Sequence, residues 1–168
     1  LNPLVRPTRK SPLLATDADK AEYASCLARV GATEEAIDIL KPLEGEKLPE
    51  VWFYESHALI SQWQYHEAIP LLERYVRSQN ISEYQRLLGQ LNLASALVYE
   101  RRHVEADRLL EELFKETLRQ KLKFFEGIAL HLSAVNALLR KQFSEAERYL
   151  DEEEKLLGNS NSIEEFFL

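Results

Sequence analysis

The chain has 168 residues, of which 45% are hydrophobic, so it can bury the core of one compact domain or of a short repeat array. Its 21 basic and 28 acidic side chains give a net charge of −7, which argues against nucleic acid as a direct ligand because that binding requires a basic face. The single cysteine, Cys26, excludes a disulfide framework and a cysteine metal cluster, and we expect it to be a small buried hydrophobe in a helix.

The first part of the chain is predicted to be an extended arm followed by two helices. Residues 1–16 carry three prolines and three basic residues without an acid, which is typical of a linker, with a docking segment as the alternative. Helical periodicity begins at Asp17 and stops at Gly31. Thr33 is expected to cap a second helix, which should end or bend near Lys41, because Pro42 lacks the amide hydrogen that a helix needs.

Six further helices are predicted, and capping residues mark the start of two of them. Ser82 and Ser144 each stand three residues before a Gln or Glu, the pattern of a capping box. Pro70 falls about one turn into a helix, where a missing amide costs least. The expected helices cover residues 49–62, 65–78, 82–101, 103–120, 123–141 and 144–157.

The C-terminal end is acidic and is expected to begin a ninth helix. Ser162 and Glu165 form a third capping-box pattern, so residues 159–168 are predicted to be the start of a further, truncated helix. Residues 144–168 hold eight acids against two basic residues. A solvated helix face explains this charge. The alternative is an acidic docking surface for a basic partner or for the arm of another copy, which would be self-association.

One pattern recurs four times along these helices, and each copy centres on a Glu-Ala pair. The alanines, which we call the anchors, are Ala36, Ala68, Ala106 and Ala146, at spacings of 32, 38 and 40 residues. The side chain is small twelve residues before each anchor, apolar nine before it, and leucine four after it. Such self-similarity is the signature of a helical solenoid, in which the anchors and their leucines pack between helices. The predicted repeats are residues 17–48, 49–81, 82–121 and 122–158.

The repeated positions resemble those of the tetratricopeptide repeat (TPR) family, in which two antiparallel helices form each unit. The match covers residues 17–157, and Trp52, Tyr75 and Gly31 stand where the family often carries a tryptophan, an aromatic residue and a glycine. The chain departs from the family in two longer repeat spacings and in Glu153, which replaces an apolar core residue. The resemblance implies an all-α fold, a right-handed superhelical solenoid of helix pairs.

The resemblance also implies that the first helices of the repeats line a concave groove, which binds a peptide or helical segment of a partner. The implied groove residues are Glu50, Phe53, Tyr54 and His57 in the second repeat, Asn92, Ser95, Val98 and Tyr99 in the third, and His131, Leu132, Val135 and Leu138 in the fourth. Aromatic groups would supply buried area, and polar groups would fix a peptide backbone. Packing against a further repeat is the alternative for these side chains.

No set of side chains in the sequence converges on a catalytic site. None of the histidines, at positions 57, 66, 103 and 131, forms the i, i+4 pair with an intervening glutamate that a helical zinc site shows. The five glycines are scattered, so no loop is suited to cradle a phosphate. We therefore expect no enzyme activity, no catalytic residue, no metal and no cofactor.

The sequence gives less information about the location of the protein in the cell than about its fold. The N-terminus lacks the apolar core of an export signal, and no run approaches the roughly 20 apolar residues that span a bilayer, so a cytoplasmic protein without membrane contact is expected. The chain contains no methionine, so Leu1 is not expected to be the translated start. A cleaved signal would leave the same sequence, which keeps a periplasmic or extracellular setting open.

These observations favour a non-enzymatic scaffold for protein–protein interaction, whose partner is a protein or peptide. The alternative is the sensing or assembly region of a larger regulatory protein whose effector domain lies outside this chain.

Overall fold

The computed structural model describes residues 15–158, and within this range the chain forms eight α-helices and no strand. The helices are α1 (Asp17–Arg29), α2 (Thr33–Leu40), α3 (Glu50–Ser61), α4 (Tyr65–Arg77), α5 (Glu83–Tyr99), α6 (His103–Gln120), α7 (Lys123–Leu139) and α8 (Phe143–Gly158). Each predicted helix in this range is present. Most of the predicted arm and the whole of the predicted ninth helix, residues 159–168, lie outside the described residues.

The chain divides into two compact units, and the division falls within α5, after Gly89. In the N-terminal unit α1 packs against α2 and α3, α2 packs against α3, and α3 packs against α4. In the C-terminal unit α7 packs against both α6 and α8. The two helices of each repeat are joined by short turns, at residues 30–32, 62–64, 100–102 and 140–142, and form helix hairpins, whereas α2 and α3 are joined by the longer segment 41–49.

The repeated sequence positions form the cores of these hairpins, as the pattern predicted. The four anchor alanines are at most 1% exposed, and the same holds for the small residues twelve positions before them, Ala24, Ser56, Ala94 and Ala134. The leucines four residues after the first three anchors are at most 2% exposed. Leu150, after the fourth anchor, is 43% exposed, so the prediction of burial is wrong there. Among the described residues no helix follows α8 to cover it.

The same turn ends five helices in the described part of the chain. Its key residue has a positive φ between 59° and 89°, and these residues are Gly31, Trp63, Arg101, Lys121 and Lys141. In each turn the next residue donates its N–H to the carbonyl five positions back, as Ala32 does to Leu27 at 2.9 Å. This pattern is the Schellman motif, which satisfies the last carbonyls of a helix. Four of the five turns therefore place a side chain in the left-handed region that favours glycine.

These turns also determine the residue at which the second helix of each repeat begins. As a result, the predicted caps at Thr33 and Ser144 are wrong. The residue four positions before the anchor occupies the N-cap, because the anchor amide bonds to its carbonyl, as Ala146 does to Gln142 at 3.0 Å. Thr33 is therefore the first residue of α2 rather than its cap, and its hydroxyl lies 3.5 Å from Ser61 Oγ. Ser144 likewise lies inside α8, which begins at Phe143.

In residues 15–158, capping boxes close the N-termini of the first helices α1 and α5. The predicted one is present: Gln85 N donates to Ser82 Oγ at 3.2 Å, and Ser82 N donates to Gln85 Oε1 at 2.8 Å. A second was not predicted: Asp19 N donates to Thr16 Oγ1 at 3.2 Å, and Thr16 N donates to Asp19 Oδ2 at 2.9 Å. Asp replaces the usual Glu or Gln in this second box, which is why the sequence pattern did not reveal it.

Candidate functional site

Three aromatic rings cluster around α3 in the N-terminal unit. The Phe53 ring centre lies 4.6 Å from that of His57, one turn later on the same helix, and 4.9 Å from that of Tyr75 on α4. Tyr75 is only 2% exposed, and burial, followed by the nearby Glu50 carboxylate, raises its pKa to about 12. Phe53 is partly buried and His57 is exposed, so the cluster rises from the core to the surface.

Tyr54 connects α3 to α1 through a hydrogen bond that its hydroxyl donates to Glu22 Oε1. Burial is the main cause of a raised pKa for Tyr54, and the bond to Glu22 raises it further. The phenol therefore stays protonated and remains a donor at physiological pH. This bond fixes the position of the Glu22 carboxylate beside a partly exposed aromatic ring.

A second carboxylate on the same face is held by the first turn of α5. Gln85 Nε2 donates to Glu50 Oε1 at 3.2 Å, and Glu50 precedes Tyr54 by one turn of α3. Glu22 and Glu50 thus both lie near Tyr54, and both raise its pKa. Their side-chain donors here, Tyr54 and Gln85, are uncharged, so these bonds do not neutralise the carboxylates.

His57 is neutral at physiological pH. Burial by the surrounding protein lowers its pKa, and the positive charge of Arg29 lowers it further, although the residue as a whole is exposed. A neutral imidazole offers one donor and one acceptor, so it is suited to hydrogen bonding with a peptide backbone rather than to attracting charge.

In the C-terminal unit, the predicted groove residues have different environments. On α5, Asn92 and Ser95 are partly buried, and Tyr99 is 43% exposed. Val98 and Leu132 are 0% and 6% exposed, so the prediction that they face a groove is wrong. Both side chains lie in the core, on the sides of α5 and α7 that are turned away from solvent.

His131, one of the predicted groove residues of the fourth repeat, lies near a carboxylate of α8. Its Nδ1 is 3.4 Å from Glu153 Oε2 on α8. The Glu153 side chain is 20% exposed, so it is largely withdrawn from solvent at a place where the family pattern expects an apolar residue. The pairing with His131 gives this acidic side chain a polar partner.

A buried polar network joins α6 to α7, and it was not predicted from the sequence. Asn136 is 0% exposed. Its Nδ2 donates to Asp107 Oδ1 at 2.7 Å, and its Oδ1 lies 2.7 Å from His103 Nδ1. Because Nδ2 donates to a carboxylate, Oδ1 is the acceptor, and His103 Nδ1 must carry a hydrogen. Arg140 Nη1 donates to the other Asp107 oxygen at 2.8 Å, so the network ends at the surface.

Two grooves lie between the second helices of successive repeats, one in each unit of the described chain. The first lies between α2 and α4, has α3 as its floor, and encloses about 580 Å³. The second lies between α6 and α8, has α7 as its floor, and encloses about 780 Å³. We call them the α2–α4 groove and the α6–α8 groove. None of the predicted groove residues lines either of them.

The comparisons with known proteins decide the fold. No protein-family model and no curated protein sequence matches the chain. Two crystal structures from Podosopora anserina do match, both of a protein described as a kinesin light chain with nearly identical TPR-like repeats. One of them, a point variant, has a TM-score of 0.71 and 20% identity over 91% of this chain and 81% of that one. The other has the same score and identity over 95% and 84%. The fold is that of TPR-like repeats.

The two grooves occupy equivalent places in these TPR-like repeats. Each contains the residue just after one anchor, Ile37 or Asp107, and the residue three positions after the next anchor, Leu71 or Tyr149. The geometry of the repeat therefore generates a groove between second helices, in addition to the first-helix surface. Repeat spacing alone could have located this groove, but no sequence pattern indicates its depth.

Residues 15–158 of this TPR-like chain were also searched for metal-binding clusters and membrane-spanning helices. No group of three or more His, Cys, Asp or Glu side chains in this range is placed to hold a metal ion. In the same range no helix has both the length and the apolar character that crossing a membrane requires.

Proposed function

We propose that this chain is a non-enzymatic interaction module that binds a peptide or helical segment of a partner protein on the first-helix face of its N-terminal unit. TPR-like repeats generally act as protein–protein interaction scaffolds. The observation that carries the proposal is the exposed end of the aromatic cluster, where the His57 ring packs against Phe53 and Tyr54 bonds to Glu22. Partly exposed aromatic side chains on a rigid helix are typical anchors for a bound peptide.

The charges on this face favour a particular kind of peptide. Glu22 and Glu50 are held in place by uncharged donors, and both lie near the Tyr54 ring. A lysine or arginine next to an apolar residue would place its charge between the carboxylates and its apolar neighbour on the aromatic rings. The net charge of −7 favours the approach of such a basic segment.

The predicted groove residues of the C-terminal unit, Asn92, Ser95, Tyr99 and His131, remain part of the proposal. Tyr99 contributes an exposed aromatic ring, and His131 contributes an exposed polar ring whose partner, Glu153, is largely withdrawn from solvent. The alternative role, a sensing or assembly region of a larger regulatory protein, stays a prediction from the sequence.

A peptide selection tests the proposed function. Short linear peptides are selected from a random displayed library on the full chain, and dissociation constants of the synthetic peptides are measured. Tyr54→Ala and His57→Ala should each weaken binding by about tenfold, since hot-spot aromatics contribute at least about 1.4 kcal/mol. Trp63→Ala is the matched control, because Trp63 is 76% exposed and lies in the α3–α4 turn, outside α3 itself. Equal affinity for all three variants would show that the assigned surface is wrong.

A further inference from the structure

The α2–α4 groove in the N-terminal unit combines an apolar lining with an excess of negative charge. Its apolar side chains come from all three helices and are Ile37, Leu59, Pro70 and Leu71. Its charged side chains are the carboxylates of Glu34, Asp38, Glu55 and Glu67 and the cations of Lys41 and Arg74. The carboxylates therefore outnumber the cations in this groove.

These six charged side chains are unpaired within the part of the chain that the structure describes. None of them forms a hydrogen bond or an ion pair with another side chain of residues 15–158. Lys41 acts on Glu55 through its charge, but from beyond ion-pair distance. In the α6–α8 groove, by contrast, Arg148 pairs with both Glu145 and Glu152, at 3.9 and 3.0 Å. The charges of the α2–α4 groove are thus available to a ligand.

Glu55 is the most buried of these charged side chains. It belongs to α3, which forms the floor, and it is partly buried, whereas the other five are exposed. Burial raises the pKa of its carboxyl, so its ionisation costs stability while it lacks a partner. A cation brought by a ligand would provide that partner.

The short α2 helix limits how much of a ligand lies in the groove. With 8 residues α2 is about 12 Å long, whereas α4 has 13 residues. About four residues of an extended peptide span this length. The groove therefore suits a short segment rather than several turns of a helix, and its volume of about 580 Å³ is large enough for a few side chains.

The lining also determines which chemical class of ligand fits. In residues 15–158 the carboxylates are not arranged to hold a metal ion. A long cationic side chain does match, because a lysine or arginine can lay its methylene groups on Leu59 and Leu71 and bring its charge to Glu55. A neutral or anionic ligand would leave Glu55 without a partner, and an anionic one would also meet the excess of negative charge.

We infer that the α2–α4 groove binds a short basic segment of a partner protein, in which a lysine or arginine flanked by apolar residues pairs with Glu55. This site is additional to the one in the proposed function, because Glu22, Glu50, Tyr54 and His57 do not line the groove. The two sites can therefore be disabled separately by mutation.

The test uses a displayed library of short linear peptides as the probe. Apolar residues alternate in these peptides with positions that vary among Lys, Glu and Gln. The library is selected on the full chain carrying His57→Ala, which weakens the first-helix face, and the surviving peptides should be enriched in Lys. A synthetic peptide of the selected sequence should bind the wild-type chain at least about tenfold more tightly than the same peptide with Gln in place of each Lys.

Variants of the protein locate the binding site. Glu55→Gln should weaken binding of the synthetic peptide by about tenfold or more, because it removes the charge that pairs with the ligand. Glu34→Gln, on the wall of the groove, should weaken binding by about threefold. Glu35→Gln is its matched control: Glu35 is exposed in the same first turn of α2 but does not line the groove, so binding should not change. Arg74→Gln should strengthen binding by about threefold, since it removes a like charge.

Several outcomes would overturn the inference. They are the absence of any selected peptide, selected peptides without enrichment in Lys, and equal binding by the wild type and Glu55→Gln. Loss of binding in Tyr54→Ala with unchanged binding in Glu55→Gln would assign the peptide to the first-helix face, which would contradict the inference and support the proposed function. The reverse result would support the inference whether or not the proposed function holds.

Discussion

Gly89 on α5 lies so close to Tyr75 on α4 that no side chain fits between them. A Cβ atom at Gly89 would lie 2.7 Å from Tyr75 Cδ1 and 2.9 Å from Val76 Cγ1. Tyr75 is 2% exposed and its ring packs on Phe53, so it has little freedom to withdraw. The close approach of these two helices supports the aromatic cluster of the candidate site from below.

We predict that Gly89→Ala lowers the free energy of unfolding by about 1 to 3 kcal/mol, because overpacking strains the surrounding side chains. This effect should exceed the roughly 1 kcal/mol by which alanine is favoured over glycine in a helix. Urea denaturation followed by circular dichroism gives the change. The double variant Gly89→Ala with Val76→Ala should recover part of the loss, and an unchanged midpoint for Gly89→Ala alone would show that α5 has room for a methyl group.

The repeated Schellman turns provide a second prediction, based on the backbone rather than on packing. Gly31 has a φ of 89°, and no atom lies within 4 Å of the position that a Cβ would take, so Gly31→Ala tests strain without a clash. It should cost about 1 kcal/mol, since the left-handed region disfavours a Cβ atom. Lys141→Gly at the equivalent turn, where φ is 62°, should be neutral or stabilising by up to about 1 kcal/mol. A stabilising Gly31→Ala, measured by urea midpoint, would contradict this account of the turns.

The buried amide of Asn136 is the subject of a third prediction. Asn136→Asp would place a second carboxyl group beside the Asp107 oxygen that now accepts a bond from Nδ2 at 2.7 Å. At pH 7 this variant should be less stable than Asn136→Ala, which itself should cost about 1 to 3 kcal/mol by leaving buried partners unsatisfied.

The pH dependence of stability distinguishes charge repulsion from poorer side-chain packing as the cause of the loss at position 136. Repulsion and burial raise the pKa of the introduced carboxyl, so the folded state binds its proton more tightly than the unfolded state does. Relative to the wild type, Asn136→Asp should therefore regain stability as the pH falls. Chemical denaturation at several pH values measures the difference in the free energy of unfolding between this variant and the wild type. A difference that is constant between pH 7 and pH 5 would attribute the loss to poorer side-chain packing rather than to charge.

Glu55, on the floor of the α2–α4 groove, gives a fourth prediction through its pKa. Burial raises the pKa of this carboxyl, and the nearby Lys41 offsets only part of the rise. The folded state thus holds the proton more tightly than the unfolded state, and ionisation of Glu55 at neutral pH lowers stability. Glu55→Gln should raise the thermal midpoint at pH 7, and the gain should shrink as the pH falls and the native carboxyl becomes protonated. Glu34→Gln, at an exposed position in the same groove, is the contrasting variant: it should not raise the midpoint at pH 7, because Glu34 lies in the first turn of α2, where the helix dipole favours a carboxylate.

Most of the fold could be predicted because the features that define the repeat depend on residues close together in the sequence. Apolar periodicity, the anchor alanines and Pro42 each act within a few residues of their own position, and α2 does end at Leu40. The caps at Thr33 and Ser144 were wrong because each chain turn, rather than the capping side chain, sets the start of the following helix. Where two candidate cap residues are only one or two positions apart, the backbone geometry of the turn decides which of them caps the helix.

The candidate site was less predictable, since its contacts join residues that are distant in sequence. Tyr54 meets Glu22 across 32 residues, and His103 meets Asn136 across 33. One signal for the second pair was present: ten residues before the other anchors stand Cys26, Ala58 and Ala96, so the asparagine at that place is an exception to the pattern. The depth of the α6–α8 groove had no such signal, because it depends on how three helices pack.

The most direct test of the central claim is photo-crosslinking from the first-helix face. A benzophenone amino acid is introduced at position 57, and in a matched variant at position 63, and each protein is irradiated with a peptide selected on the wild-type chain. We predict a crosslink from position 57, at the exposed end of the Phe53 cluster, and none from position 63 in the α3–α4 turn. Equal crosslinking from both positions, or crosslinking from position 63 alone, would contradict the claim that this face binds the partner.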